Sequence, residues 1–116
     1  MDKRWEWITH KNKKIIYVDY TDLSEEEYFQ TVDQAEKEIL AQPDNSVLRM
    51  SCIHSGHMTE KIKERAKDHK RKVKHKVKAI AAVGLTGIKK TLVRLLYRDI
   101  YFADTIEEAK AWLVKQ

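Results

Sequence analysis

Three kinds of side chain in the chain are typed and spaced for chemistry. Cys52, His54 and His57 fall within six residues of "SCIHSGHMT" and are types that hold zinc. The spacing C-x-H-x-x-H matches no strong zinc signature, and a fourth ligand has to come from elsewhere, such as His10 or His69. A thiol-phosphatase cradle, C-x5-R, is missing its arginine, because Met58 stands six places after Cys52. In the same loop Ser55 and Thr59 offer hydroxyls at a helix start, where backbone N–H groups and the helix dipole favour a phosphate; the same residues also suit a turn and a cap. Phosphoacceptor and cap both stand as readings of this pair.

"VGLTGIKK" is the second constellation. Gly84 suits a tight exit from a strand, Thr86 a cap and Gly87 a close backbone approach, with Lys89 following. Such a helix start accepts anions. The motif has neither the third glycine of G-x-G-x-x-G nor the lysine spacing of a P-loop, so no nucleotide and no cofactor is implied. The third feature is charge. Residues 61–78 hold ten Lys or Arg against two acids, a local balance of +8 in a chain whose total is +5. Lys70, Arg71, Lys72 and Lys74 form its centre. A cationic face of this kind draws anionic lipid surfaces or nucleic acid, and equally keeps a small protein soluble. No aromatic residue interleaves the run, which disfavours single-strand nucleic acid.

The elements that must position these residues follow from periodicity. "RWEWITH" and "KKIIYVDY" alternate as strands around a "KN" turn and form a hairpin. Ser24 and Glu27 make a capping box for a helix to about Gln42, with Phe29, Val32, Ala35, Glu36, Ile39 and Leu40 on one stripe that is apolar except at Glu36. "SVLRMSCI" is a strand. A second helix opens near Thr59, burying Ile62, Ala66 and Val73. "KVKAIAAV" turns continuously apolar and predicts a central strand covered on both faces. A third helix turns Ile88, Leu92, Leu95 and Leu96 inward. "DIYFA" is the last strand, and Thr105 with Glu108 opens a final helix carrying Trp112 and Leu113. The order ββαβαβαβα predicts one α/β domain over residues 1–116, a five-stranded, mostly parallel sheet with four helices on its faces. Trp5 and Trp7 share a strand face that suits homodimerisation if nothing covers it.

The hairpin, the helix with an acidic start, "VGLTGIKK" after a buried strand and "IYFADTIEEAKAWL" at the end resemble the SpoIIAA-like branch of the STAS domains, grouped also with lipid-binding SEC14-type domains. The resemblance covers roughly residues 5 to 115. It implies a non-enzymatic module that binds a partner protein through loops 52–58 and 84–89. In relatives a serine in a D-S-x-G-like loop is phosphorylated; here Ser55-Gly56 matches its end, while His54 replaces the acid. The alternatives are a carrier or sensor of a lipid or other anionic small molecule at a membrane surface, and weak nucleic-acid association through residues 61–78. No carboxylate pair or nucleophile with a base has a convincing spacing, so no enzyme is expected. The first residues hold no apolar signal segment, no apolar run approaches the ~20 residues of a membrane span, and a lone cysteine fits a reducing compartment. Cytoplasm is the expected location.

Overall fold

Alternation, caps and turns build nine elements in the computed structural model, which describes residues 3–53, 59–85, 87–96 and 98–116, with the backbone only at 88, 89, 92 and 96. They are β1 (Trp5–His10), β2 (Lys13–Asp19), α1 (Glu25–Leu40), β3 (Val47–Cys52), α2 (Glu60–Val73), β4 (Val77–Val83), α3 (Gly87–Leu96), β5 (Tyr101–Ala103) and α4 (Ile106–Leu113). The β1–β2 hairpin turns on Lys11 and Asn12, both at positive φ (48° and 66°). That is the mirror-image turn whose twist matches paired strands, and Asn tolerates it well. Ser24 accepts from the Glu27 N–H at 3.1 Å while the Glu27 carboxylate accepts from the Ser24 N–H at 3.0 Å, so the capping box that opens α1 is complete.

The five strands lie in sequence order, β1-β2-β3-β4-β5, with β1–β2 antiparallel and the other pairs parallel. Each βαβ unit steps one strand further in the same direction. Crossovers of one hand then put α1, α2 and α3 on a single face. On that face Ile16 and Val18 pack against Ala35 and Ile39 of α1 and Val73 of α2, and Ala82, Ile80 and Phe102 pack against Val93 of α3. The opposite face, with Ile15, Leu48, Met50, Ala81 and Val83, is covered by α4 through Ala109 and Leu113.

Stepwise order also moves the centre of the sheet. The middle strand is β3, every residue of which is buried, and β4 lies one place out. β4 is covered on both sides only from Ala81 onward, because Lys78 is exposed and Ile80 half-buried where α2 and α3 part. Two further details differ from expectation. Leu40 is exposed and α1 ends there, capped at Ala41. Leu95 of α3 is 76% exposed, and Val93 is the buried residue of that turn; Ile88, Leu92 and Leu96 lie outside the described side chains. Trp5 and Trp7 do share a face, but α1 covers it: their indole N–H groups donate to Gln34 and Glu38, each at 3.0 Å. The apolar patch that favoured a homodimer is therefore occupied within the chain.

A candidate anion-binding cleft

β3 and β4 end side by side, the Ile53 N–H donating to the Val83 carbonyl at 2.9 Å, so the segments after both strands start from one rim. His54, Ser55 and His57 fall outside the described residues, as do Thr86 and the Lys89 side chain. Thr59 is the N-cap of α2: its hydroxyl accepts from the Ile62 N–H at 3.2 Å and donates to a Glu25 carboxylate oxygen at 2.7 Å. The cap thus uses the hydroxyl, and the adjacent carboxylate would repel a phosphate placed there. Gly84 (φ 89°) and Gly87 (φ 57°) hold conformations that favour glycine. A Cβ on Gly87 would meet nothing within 4 Å, so that glycine answers to backbone conformation rather than to a close neighbour. Cys52 is buried, and burial pushes its thiol pKa up, which makes it a poor nucleophile and a poor metal ligand. Burial, with Cys52 beside it, likewise pushes up the Tyr17 phenol. Among the described residues no group of His, Cys, Asp and Glu is arranged to hold a metal ion.

Between β3, α2 and α1 lies a buried polar relay, anticipated only by the presence of Glu36 on an apolar stripe. Arg49 is 3% exposed and His69 is 2% exposed. The Arg49 guanidinium donates to His69 Nε2 at 2.7 Å and to the Tyr20 hydroxyl at 2.7 Å. An arginine can only donate, so Nε2 carries no proton and Nδ1–H donates onward to Glu36 Oε2 at 2.8 Å. Glu36 also accepts from Arg65 at 3.0 Å, and Arg65 reaches Asp33 at 2.8 Å and Asp68 at 3.2 Å. Burial first, and the Arg49 charge second, push the His69 pKa down to about 3. The bonds from Arg65 and His69 outweigh burial at Glu36 and hold its carboxyl below the ordinary range. A neutral imidazole thus joins a cation to an anion, tying three elements together without a direct Arg49–Glu36 contact.

A concavity lies elsewhere, at the end of the sheet where the parallel strands begin. It is a cleft of about 470 Å³. Helix α2 descends from the end of β3 to the start of β4, and α3 from the end of β4 toward the start of β5, so the C-terminal turns of both helices flank it. Lys70 and Lys74 come from the α2 side, Arg98 from the segment after α3, and Lys78 from β4 below; Asp99 is the one acid on its lining. Val73, Val77 and Ile80 supply an apolar floor. Trp112 and Gln116 line it from the α4 side, past the β4 residues before Ala81 that β5 does not pair, and the Trp112 ring stacks on Tyr101 at 4.7 Å. A second hollow of about 330 Å³ adjoins it, sharing Lys70, Lys74 and Leu95 and adding Lys67 and Arg71.

Of the expected cationic centre, then, Lys70 and Lys74 face the cleft and Arg71 the outer hollow. Lys72 turns to Asp68 (3.2 Å) and Glu36 (3.8 Å). Cations in a last helical turn complement the dipole, and that alone explains Lys70, Arg71 and Lys72. It does not explain Lys78 on a strand or Arg98 beyond a helix. Lys74, Lys78 and Arg98 make no ion pair with any described residue, so three cations converge over one apolar floor with Asp99 as the one acid beside them. No pattern in the sequence pairs Lys78 with Arg98; their approach follows from the gap between α2 and α3. Comparison with known proteins found no matching family model, no matching curated protein and no matching solved structure.

Proposed function

We propose that the chain is a non-enzymatic binding module for an anionic small molecule with an apolar portion, held between α2 and α3. One observation carries the reading: Lys74, Lys78 and Arg98, none of them ion-paired with a described residue, surround a cleft of about 470 Å³ floored by Val73, Val77 and Ile80. The cations would pair with a carboxylate or phosphate at the mouth, and the floor would take the apolar part, the usual division of labour in a small-molecule site. His69 and Tyr17, whose pKa values are strongly displaced, do not line the cleft, which favours binding over acid–base chemistry there. The STAS-like pattern of the sequence also favours a module without catalysis. A partner-protein switch at loops 52–58 and 84–89 has less support, because the Thr59 hydroxyl is committed to its cap.

The test is a fluorescence titration in a Trp5→Phe, Trp7→Phe background, which leaves Trp112 at the cleft as the only indole. Decanoate should change its emission saturably and decanol much less. Lys74→Glu with Arg98→Glu should weaken decanoate binding by roughly 10- to 100-fold, since two attractive charges become repulsive. Equal binding of decanol and decanoate, or no effect of the reversal, would overturn the assignment.

A further inference from the structure

We propose that the mouth of this cleft is also a docking surface for an anionic lipid bilayer, with Leu95 as its apolar contact. The inference rests on the reading of the cleft as an anion site and adds the source of the anion. Leu95 is 76% exposed, although α3 buries Val93 two residues earlier. It lines both the cleft and the outer hollow, standing where the two meet. Around it are Lys67, Arg71 and Lys74 on the α2 side and Arg98 after α3, all exposed. The ion pairs of this group, Arg71 with Asp68 at 3.5 Å and Lys67 with Glu64 at 3.8 Å, are weak exposed i,i+3 contacts.

An exposed leucine inside a cationic ring matches a bilayer interface, where the side chain enters the acyl boundary while Lys and Arg meet lipid phosphates. A nucleic-acid backbone would satisfy the cations and leave Leu95 in water. It would also lack a stacking partner, because Trp112 is already stacked on Tyr101. An acidic polypeptide would meet the ring but leave the apolar floor beneath it empty, whereas a lipid tail reaches that floor as its headgroup stays among the cations.

The experiment is cosedimentation of the full chain with vesicles of phosphatidylcholine, with and without phosphatidylglycerol, at low and moderate salt. Binding should require phosphatidylglycerol and fall with salt. Each cation near an anionic surface is worth about a fivefold change in partitioning, so Lys67→Glu with Arg71→Glu should lower vesicle binding at least about 25-fold. Both residues lie outside the cleft, so decanoate binding should persist. Leu95→Ser, at an exposed position, should lower vesicle binding about tenfold or more, and Leu95→Trp should give blue-shifted emission that brominated lipid quenches. Intact decanoate binding without vesicle binding would overturn the docking surface and leave the small-molecule site standing. Unaltered vesicle binding by Leu95→Ser, or preference for duplex DNA or polyglutamate over the vesicles, would overturn it as well.

Discussion

Acid should loosen this protein through one buried imidazole, and the size of the effect follows from its surroundings. His69 is held neutral between Arg49 and Glu36, with a native pKa of about 3 against 6.5 for the unfolded chain. Because the native value is the lower, the unfolded chain takes up the proton first. The stability associated with neutral His69 is therefore complete above about pH 6.5 and drains away as pH falls toward 3. Between pH 7 and 4.5 the loss integrates to about 2–3 kcal/mol, or roughly 10 °C in Tm for a domain of this size. Glu36 is depressed below its ordinary carboxyl value, so its own contribution disappears only at lower pH, leaving the upper window to His69. His69→Gln removes the titrating group while retaining a donor and an acceptor. At pH 7 it should cost about 1–3 kcal/mol through imperfect hydrogen bonds, and the gap to wild type should close by about 2–3 kcal/mol as pH falls to 4.5. Urea unfolding of both proteins across that range measures it. Parallel stability–pH curves, or an imidazole that titrates near 6.5 in the folded protein by NMR, would refute the relay.

Other substitutions probe separate parts of the fold. Leu113→Ala, at a fully buried position where α4 alone covers its face, should cost about 2–5 kcal/mol in chemical unfolding. Thr59→Ala should cost about 1 kcal/mol by removing the α2 cap, and Thr59→Ser should restore most of it. Phosphate found on Thr59 by intact-mass analysis would contradict its assignment as a cap. Cys52 should react with a disulfide reagent far more slowly in the native protein than in urea, because its thiol is both buried and raised in pKa; equal rates would place it at the surface.

The element order was legible because each signal is local. Capping residues at Ser24, Thr59 and Thr105, the Lys11-Asn12 turn and the change of period at Val77 all lie within a few residues of what they specify. Strand order is not local. A run such as Ala81–Val83 reads as covered on both faces whether it lies third or fourth in the sheet, so the central place went to β4 when β3 holds it. Helical spacing likewise assigned Leu95 to the inner side of α3, because periodicity specifies a stripe but not where the neighbouring helix stops. One anomaly did announce the relay, Glu36 on the apolar stripe of α1; Arg49 inside the strand "VLRMSC" is a second signal of the same kind, to which no expectation was attached. Buried charges need partners, yet nothing in the sequence says that His69 joins them. The cleft is less legible still, since Lys74, Lys78 and Arg98 come from three separate parts of the chain that only the fold brings to one lining.

A single titration separates the cleft from the loops at the other end of the sheet. Decanoate added to isotopically labelled protein should shift the backbone amides of Lys74, Lys78, Ile80, Leu95 and Arg98 together and saturably. Shifts confined to residues 84–89, or scattered without saturation, would contradict the assignment of the ligand to the space between α2 and α3.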